Sequence, residues 1–369
     1  MQRVVPLLLL TLTLVACSDD TSVVEQTPQW TLRETLRIGS GDEGPTSFSW
    51  VKGIAEGADG RIYIYEHSTQ DIRVFNADGS FDRTIGRRGA GPGELRNAEG
   101  IVFASDGTLW VSDASNARFS RFDADGTALE SWPMNFCSSQ GTWAPFSAAD
   151  GIVDDDCIPG VDPYKIVRYR IDRSGVDSLG MVAECGTQEL NEAATWITKE
   201  GTATSYRQIP WAPRAVSAYD ATGATWCAPS TGRYELLRIA LGGTDTVRVV
   251  RNVDALPVNA AERDSAIALI ESRGPTGVDF SRIPSVKPSI HRLTIDDQNR
   301  LWVRRDRAEG GIVFDIFESD GKQAATVTLG TVRTPVWSPF VVRGDVVLLV
   351  TTDDDDVPQV GRFVIERGG

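Results

Sequence analysis

The sequence predicts an all-β chain folded as a six-bladed β-propeller of four-stranded blades, closed by its N-terminal strand. A repeat without gaps carries the prediction: Gly53, Gly60 and Gly79 return forty-seven residues later as Gly100, Gly107 and Gly126. Asp-Gly pairs stand between apolar runs at Asp59-Gly60, Asp78-Gly79, Asp106-Gly107 and Asp125-Gly126. Such pairs signal hairpins, because the tight turn needs positive φ. Residues 30–38 alternate like an outer strand, and the last repeat lacks one.

Taken in chain order, residues 1–16 read as an export signal. Arg3 supplies a short positive region, and residues 4–15 are apolar except for Pro6, Thr11 and Thr13. The stretch is too short to span a bilayer, and no later segment reaches 18 consecutive apolar residues. Its end, Leu14-Val15-Ala16-Cys17, resembles the bacterial lipobox. The resemblance implies cleavage before Cys17, diacylation of its thiol and a membrane contact through that lipid. Residues 17–29 then form a polar tether, and residues 30–369 the propeller. The expected location is the bacterial cell envelope, whether outer membrane, periplasm or cell surface.

The first blade runs from Gly53 through Ile62-Tyr63-Ile64 and Ile72-Arg73-Val74-Phe75 to Gly79, with residues 81–85 as its outer strand. The second repeats this from Gly100 to Gly126, with residues 129–132 outermost. Weaker copies begin near Ser147, Ala215, Ser289 and Pro339. Outer strands follow the first three of these at residues 176–182, 246–250 and 324–329, but not the last. Residues 30–38 supply the missing one, which leaves no long open edge. Two insertions, residues 186–214 and 251–288, interrupt the repeats. The second holds a helix signal: Asn259 as N-cap, Glu262 three residues on, then Ile267, Leu269 and Ile270, with Gly274-Pro275 as a stop.

The run Gly86-Arg87-Arg88-Gly89-Ala90-Gly91-Pro92-Gly93-Glu94-Leu95 leading into Gly100-Ile101 resembles the linkers of NHL-repeat propellers. That resemblance covers residues 53–126 well and implies the fold, whereas function belongs to sites. Four cysteines follow Cys17, namely Cys137, Cys157, Cys185 and Cys227. In an oxidising compartment they suggest two disulfides with three possible connectivities. An inner strand's start and the second strand's end meet on one face, so pairing within blades, Cys137–Cys157 and Cys185–Cys227, is expected.

Composition bounds the function. Lys and Arg total 37 against 51 Asp and Glu, a net charge of −14. No basic stripe exists to neutralise phosphates, so no nucleic-acid partner is expected. With His67 and His291 as the two histidines, a three-His metal site is ruled out. G-x-S-x-G, H-E-x-x-H and C-x-x-C are absent. The meander puts second-to-third-strand loops and inter-blade connections on one face, and the Asp-Gly turns on the other. The loop-rich face holds the binding candidates Glu66, His67, Arg87, Arg88, Asp113, Asn116, Trp196 and Trp211. The acidic runs 154–156 and 353–356 suit a divalent cation such as calcium, though the D-x-D-x-D-G loop is missing. No other cofactor is expected. The reading is therefore a lipid-anchored binding or scaffold protein for a protein, peptide or glycan partner. The alternative is a metal-dependent hydrolase or lactonase, resembling the six-bladed gluconolactonases and strictosidine synthases. Their channel-mouth Glu, Asn and Asp ligands do not map residue by residue onto this chain.

The lipobox reading makes a prediction about the mature N-terminus. Mass analysis of protein purified from a lipoprotein-processing bacterium should find Cys17 first and acylated. Cys17→Ala should leave the leader uncleaved at that position.

Overall fold

The computed structural model describes residues 27–41, 43–134, 146–148, 151–157, 166–172, 175–182, 185, 192–200, 203–243, 246–273, 277–307, 311–330, 332–335 and 338–367. The chain opens with β1 (Gln29–Ile38) and continues in antiparallel sheets. The first holds β2 (Val51–Glu56), β3 (Ile62–Glu66), β4 (Asp71–Phe75) and β5 (Phe81–Ile85). The next holds β6 (Ala98–Phe103), β7 (Leu109–Asp113), β8 (Arg118–Phe122) and β9 (Ala128–Pro133). A third comprises β10 (Phe146–Ala148), β11 (Gly151–Cys157), β12 (Ile166–Asp172) and β13 (Gly175–Met181). The hairpin of β14 (Thr195–Glu200) and β15 (Ala203–Gln208) precedes β16 (Val216–Tyr219), β17 (Thr225–Ala228), β18 (Glu235–Ile239) and β19 (Thr246–Val250). Helix α1 (Ala260–Arg273) follows, then β20 (Arg292–Ile295), β21 (Leu301–Asp306), β22 (Ile312–Phe317) and β23 (Gln323–Leu329). The chain ends in β24 (Phe340–Arg343), β25 (Val346–Thr352) and β26 (Pro358–Arg367).

First strands of successive sheets lie against one another: β2 on β6, β6 on β10, β16 on β20, β20 on β24, and β24 on β2. The sheets therefore follow one another about an axis, in a propeller-like fold. Turn chemistry produces the sheets. Gly60 and Gly107 sit at φ 79° and 80°, a region L side chains rarely enter. The preceding aspartates cap the turns, with Asp59 accepting from Arg61 N at 3.1 Å and Asp106 from Thr108 N at 3.0 Å. At the later turns glycine is needed for space as well. A Cβ on Gly79 would stand 2.7 Å from Leu36 of β1, and one on Gly126 2.5 Å from Ile85 of β5. Each such turn is thus tucked onto the last strand of the sheet before it. This contact places β1 ahead of the β2–β5 sheet.

The β2–β5 and β6–β9 sheets share one apolar cluster, and strands β16–β18 share another with β20–β22. Trp110, Trp226 and Trp302 occupy the same position in their second strands, and all three are fully buried. The ends of the chain meet. β1 runs antiparallel to β26 from Trp30↔Arg367 to Ile38↔Val360, and its first residues pair parallel with β23. Strands β20–β23, β1 and β24–β26 thereby join in one eight-stranded sheet. Trp30 packs with Trp302, Phe314, Val327 and Phe363, under the guanidinium groups of Arg300 and Arg367.

Helix α1 begins as expected. Asn259 Oδ1 accepts from Glu262 N at 2.9 Å, and Glu262 Oε2 accepts from Asn259 N at 3.0 Å, a reciprocal cap. Strands β14 and β15 within the first insertion were not expected. Their outer face carries Ile197 and Tyr206, which remain exposed, so the usual polar-out alternation is blurred. Cys185 and Cys227 are joined, with Cα atoms 6.0 Å apart and a sequence separation of 42. This disulfide fastens the start of the insertion to β17 and contributes about 2–4 kcal/mol. Cys137 and the side chain of Cys157 lie outside the described residues, as do Cys17 and the export segment. Among the described residues no helix is long and apolar enough to cross a membrane.

Closure through Trp30 makes a measurable prediction. Trp30→Ala should lower stability in urea by about 3–5 kcal/mol, the usual cost of emptying a large aromatic site. Trp50→Ala, at an exposed position, should stay within about 0.5 kcal/mol of the parent chain.

Candidate functional site

The repeat assigns equivalent tasks to Glu66 and Asp113, the last residues of β3 and β7. Both were expected to line a binding face, yet both are buried and spent on backbone. Glu66 accepts from the N–H groups of Ser49, Trp50 and Ser68 at 2.9–3.2 Å. Asp113 accepts from Arg96 N and Asn97 N, each at 3.0 Å, and from the Asn116 side chain at 2.8 Å. Each carboxylate thus fixes the chain as it enters the first strand of its own sheet. A buried carboxylate holding several N–H groups is a structural anchor. Asn116 is likewise committed, since its amide also donates to the Gly89 carbonyl at 2.9 Å.

The glycine-rich linker is held from outside. Arg118 donates to the carbonyls of Ala90, Gly91 and Glu94, while Gly89 N and Leu95 N bond within the linker. Arg87 pairs with Glu94 at 2.8 Å, and Arg88 reaches across to the Ser68 carbonyl at 2.7 Å. The amides of Gly89, Gly91, Glu94 and Leu95 are all bonded within the linker.

Trp196 and Trp211 belong to a small core of their own. Trp196 is buried with Ile209 and Ile283, and Trp211, Ile267, Ile270 and Phe280 pack around them. The Trp196 indole N–H donates to the Asp279 carbonyl at 3.1 Å. The two insertions are thereby pinned to each other, and Trp196 is a packing residue, not an exposed anchor. The acidic tip 353–356 folds as a turn in which Asp353 accepts from Asp355 N and Val357 N. Beside it lies a cavity of about 480 Å³ lined by Ile312, Val332, Arg333, Pro335, Thr352 and Asp356. The side chains of Asp154, Asp155 and Asp156 lie outside the described residues. Among those described, no three His, Cys, Asp or Glu side chains are placed to hold a metal ion.

On the loop-rich face Trp50, which the sequence reading passed over, is 53% exposed. Its ring meets His67 edge-on with centroids 4.4 Å apart, and Lys52 Nζ stands 4.8 Å from its centre. Lys52 in turn bonds Glu99 at 3.0 Å and Asn97 Oδ1 at 3.3 Å, and Asn97 donates to Glu99 at 2.8 Å. The repeat offset could have found this group, because Trp50 and Lys52 recur as Asn97 and Glu99. Burial, then the nearby Lys52 charge, lowers the pKa of His67 and favours its neutral form.

A second polar cluster surrounds His291, whose Nε2 stands 3.1 Å from Asp306. Lys287 links Asp306, at 4.0 Å, to Glu262 of α1, at 2.5 Å. Burial alone would raise the Asp306 pKa, but His291 and Lys287 outweigh it and hold the carboxyl below its ordinary range.

A family model described as a 6-bladed beta-propeller, DUF5128, matches residues 51–148. No curated protein matches the chain significantly. Among solved structures, virginiamycin B lyase from Staphylococcus aureus aligns over 91% of this chain and 99% of its own, at 13% identity and a TM-score of 0.42. A gluconolactonase from Xanthomonas campestris aligns over 87% of each chain, at 14% identity and a TM-score of 0.45. A DUF4221 family member from Bacteroides vulgatus covers 93% of this chain and 100% of its own, at 11% identity and a TM-score of 0.45. At these identities and scores nothing of their chemistry carries over.

The Asp306 cluster predicts an acid limb. A carboxyl with a depressed folded pKa adds stability above its unfolded pKa of about 3.9, and that stability is lost as pH falls through the lower folded value. Urea midpoints measured from neutral pH downward should therefore fall more steeply below about pH 4 for the parent chain than for Asp306→Asn. Parallel slopes would show that Asp306 does not supply the effect.

Proposed function

We propose that this chain is an exported, lipid-anchored propeller of six four-stranded blades, of the NHL type, that binds its partner through the loop-rich face. One contrast carries the reading. On the turn face, Asp59, Asp78, Asp106, Asp123, Asp220, Asp296 and Asp320 each accept from an N–H of their own turn. Their carboxylates serve the fold. The loop-rich face instead presents Trp50 with its polar surround, and the inserted hairpin with Tyr206 and Ile197 exposed at 62% and 49%. Aromatic groups held in place on a scaffold are the usual anchors of recognition. A hydrolase reading would be favoured by converging carboxylate ligands. Glu66 and Asp113, its nearest candidates, are committed to backbone N–H groups.

The test immobilises the mature full-length chain and passes solubilised native envelopes over it. Trp50→Ala combined with Tyr206→Ala should reduce retention of the dominant bound species at least tenfold. Replacing Asp78, Asp106 and Asp125 with Ala should leave retention intact. The reverse pattern would place binding on the turn face.

A further inference from the structure

We infer that Trp50, Lys52, His67, Asn97 and Glu99 form a carbohydrate subsite that takes one pyranose ring of a neutral oligosaccharide. The inference rests on the reading that the loop-rich face binds, and it names the ligand class at one place on that face.

The geometry begins with Trp50. It leads into β2, and its carbonyl accepts from His67 N at 2.9 Å, while its own N–H is held by the buried Glu66 carboxylate. The backbone under the indole is therefore fixed at both donor and acceptor. The ring itself is braced by the edge of His67 and by Lys52. A flat apolar surface that is already ordered loses little conformational entropy when a ligand covers it. Trp50 nonetheless remains 53% exposed.

A pyranose ring has two chemistries: C–H bonds that gather on its faces, and hydroxyls that radiate from its edge. The C–H face suits the electron-rich face of an indole. The hydroxyls need donors and acceptors beside that face. Lys52, Asn97 and Glu99 supply them as a linked set, each aligned by the others at 2.8–3.3 Å. A carboxylate offers about four acceptor sites, and Lys52 and Asn97 leave some of those on Glu99 unused. A pre-aligned polar set beside an apolar platform is what orients a small ligand in a largely preformed site.

Charge selects among ligands. Lys52 and Glu99 neutralise each other at 3.0 Å, Arg88 is turned onto the Ser68 carbonyl, and His67 is held toward its neutral form. A ligand cation would compete with Lys52 for the indole, and a ligand anion would meet Glu99. A neutral ligand meets neither obstacle.

The test titrates the mature full-length chain with maltohexaose, cellohexaose and chitohexaose separately, following Trp fluorescence and heat. At least one should bind, with Kd raised tenfold or more by Trp50→Ala, which corresponds to about 1.4 kcal/mol. Trp50→Phe should raise Kd less than Trp50→Ala, because a smaller ring keeps part of the stack. Asp125→Ala, on the turn face, should leave Kd unchanged, and circular dichroism should confirm that each variant is folded. Binding that survives Trp50→Ala unaltered, or no binding by any of the three at millimolar concentration, would overturn the assignment. If envelope material is still retained through the loop-rich face while no hexasaccharide binds, the ligand class is wrong and the face is right. Loss of retention only with the turn-face variants would instead remove the face.

Discussion

The largest sheet in this protein, of eight strands, depends on pairing between the two ends of the chain. β1 lies between β26 and β23, so the last three strands gain their fourth only from residues near the start. Without that pairing β26 would present an unpaired edge, which invites association with other chains. Trp30 adds to the ladder by filling space against Trp302, Phe314 and Phe363. The arrangement requires contacts across almost the whole sequence, as between Arg33 and Glu366, 333 residues apart. Topologies dominated by such contacts are slow to form. The short turns within each sheet offset this by making most of the remaining pairing local.

The buried carboxylates show how one sequence position can serve two neighbouring segments. Glu66 and Asp113 end a second strand and, at the same time, hold the backbone that leads into the first. The entry to each first strand is therefore stiff, and Trp50 and Asn97 stand on that stiff ground. Rigidity at the candidate site is inherited from the repeat and is not a special feature of the site. Arg118 and Asn116 extend the same logic to the linker between sheets, since their donors fix its carbonyls. The loop-rich face is consequently long in chain but well ordered through blades one and two.

Much of the fold was legible because its signals are local. An Asp-Gly turn needs positive φ wherever it occurs, and the aspartate caps its own turn, so Gly60 and Gly107 could be read without a structure. The reciprocal cap of Asn259 and Glu262 is equally local. The site was less legible because exposure depends on distant partners. Trp196 is covered by Phe280 and Ile283, more than eighty residues away, and nothing near it in sequence announces this. Glu66 reads as a surface acid until the N–H groups of Ser49 and Trp50 are folded back onto it. Trp50 was passed over for the opposite reason, since it stands next to a strand that reads as core.

The inserted hairpin and helix share a small core built on Trp196, Ile209 and Ile283, and the insertion's start is stitched to β17 by Cys185 and Cys227. Such a unit behaves as a cassette. Its interior is packed within itself, and Ile197 and Tyr206 on its outer face are exposed. Substitutions at Ile197 or Tyr206 can therefore accumulate over evolutionary time without disturbing sheet register. Descendants of one propeller could diverge in what they recognise by redecorating this cassette while the ring beneath is passed on intact.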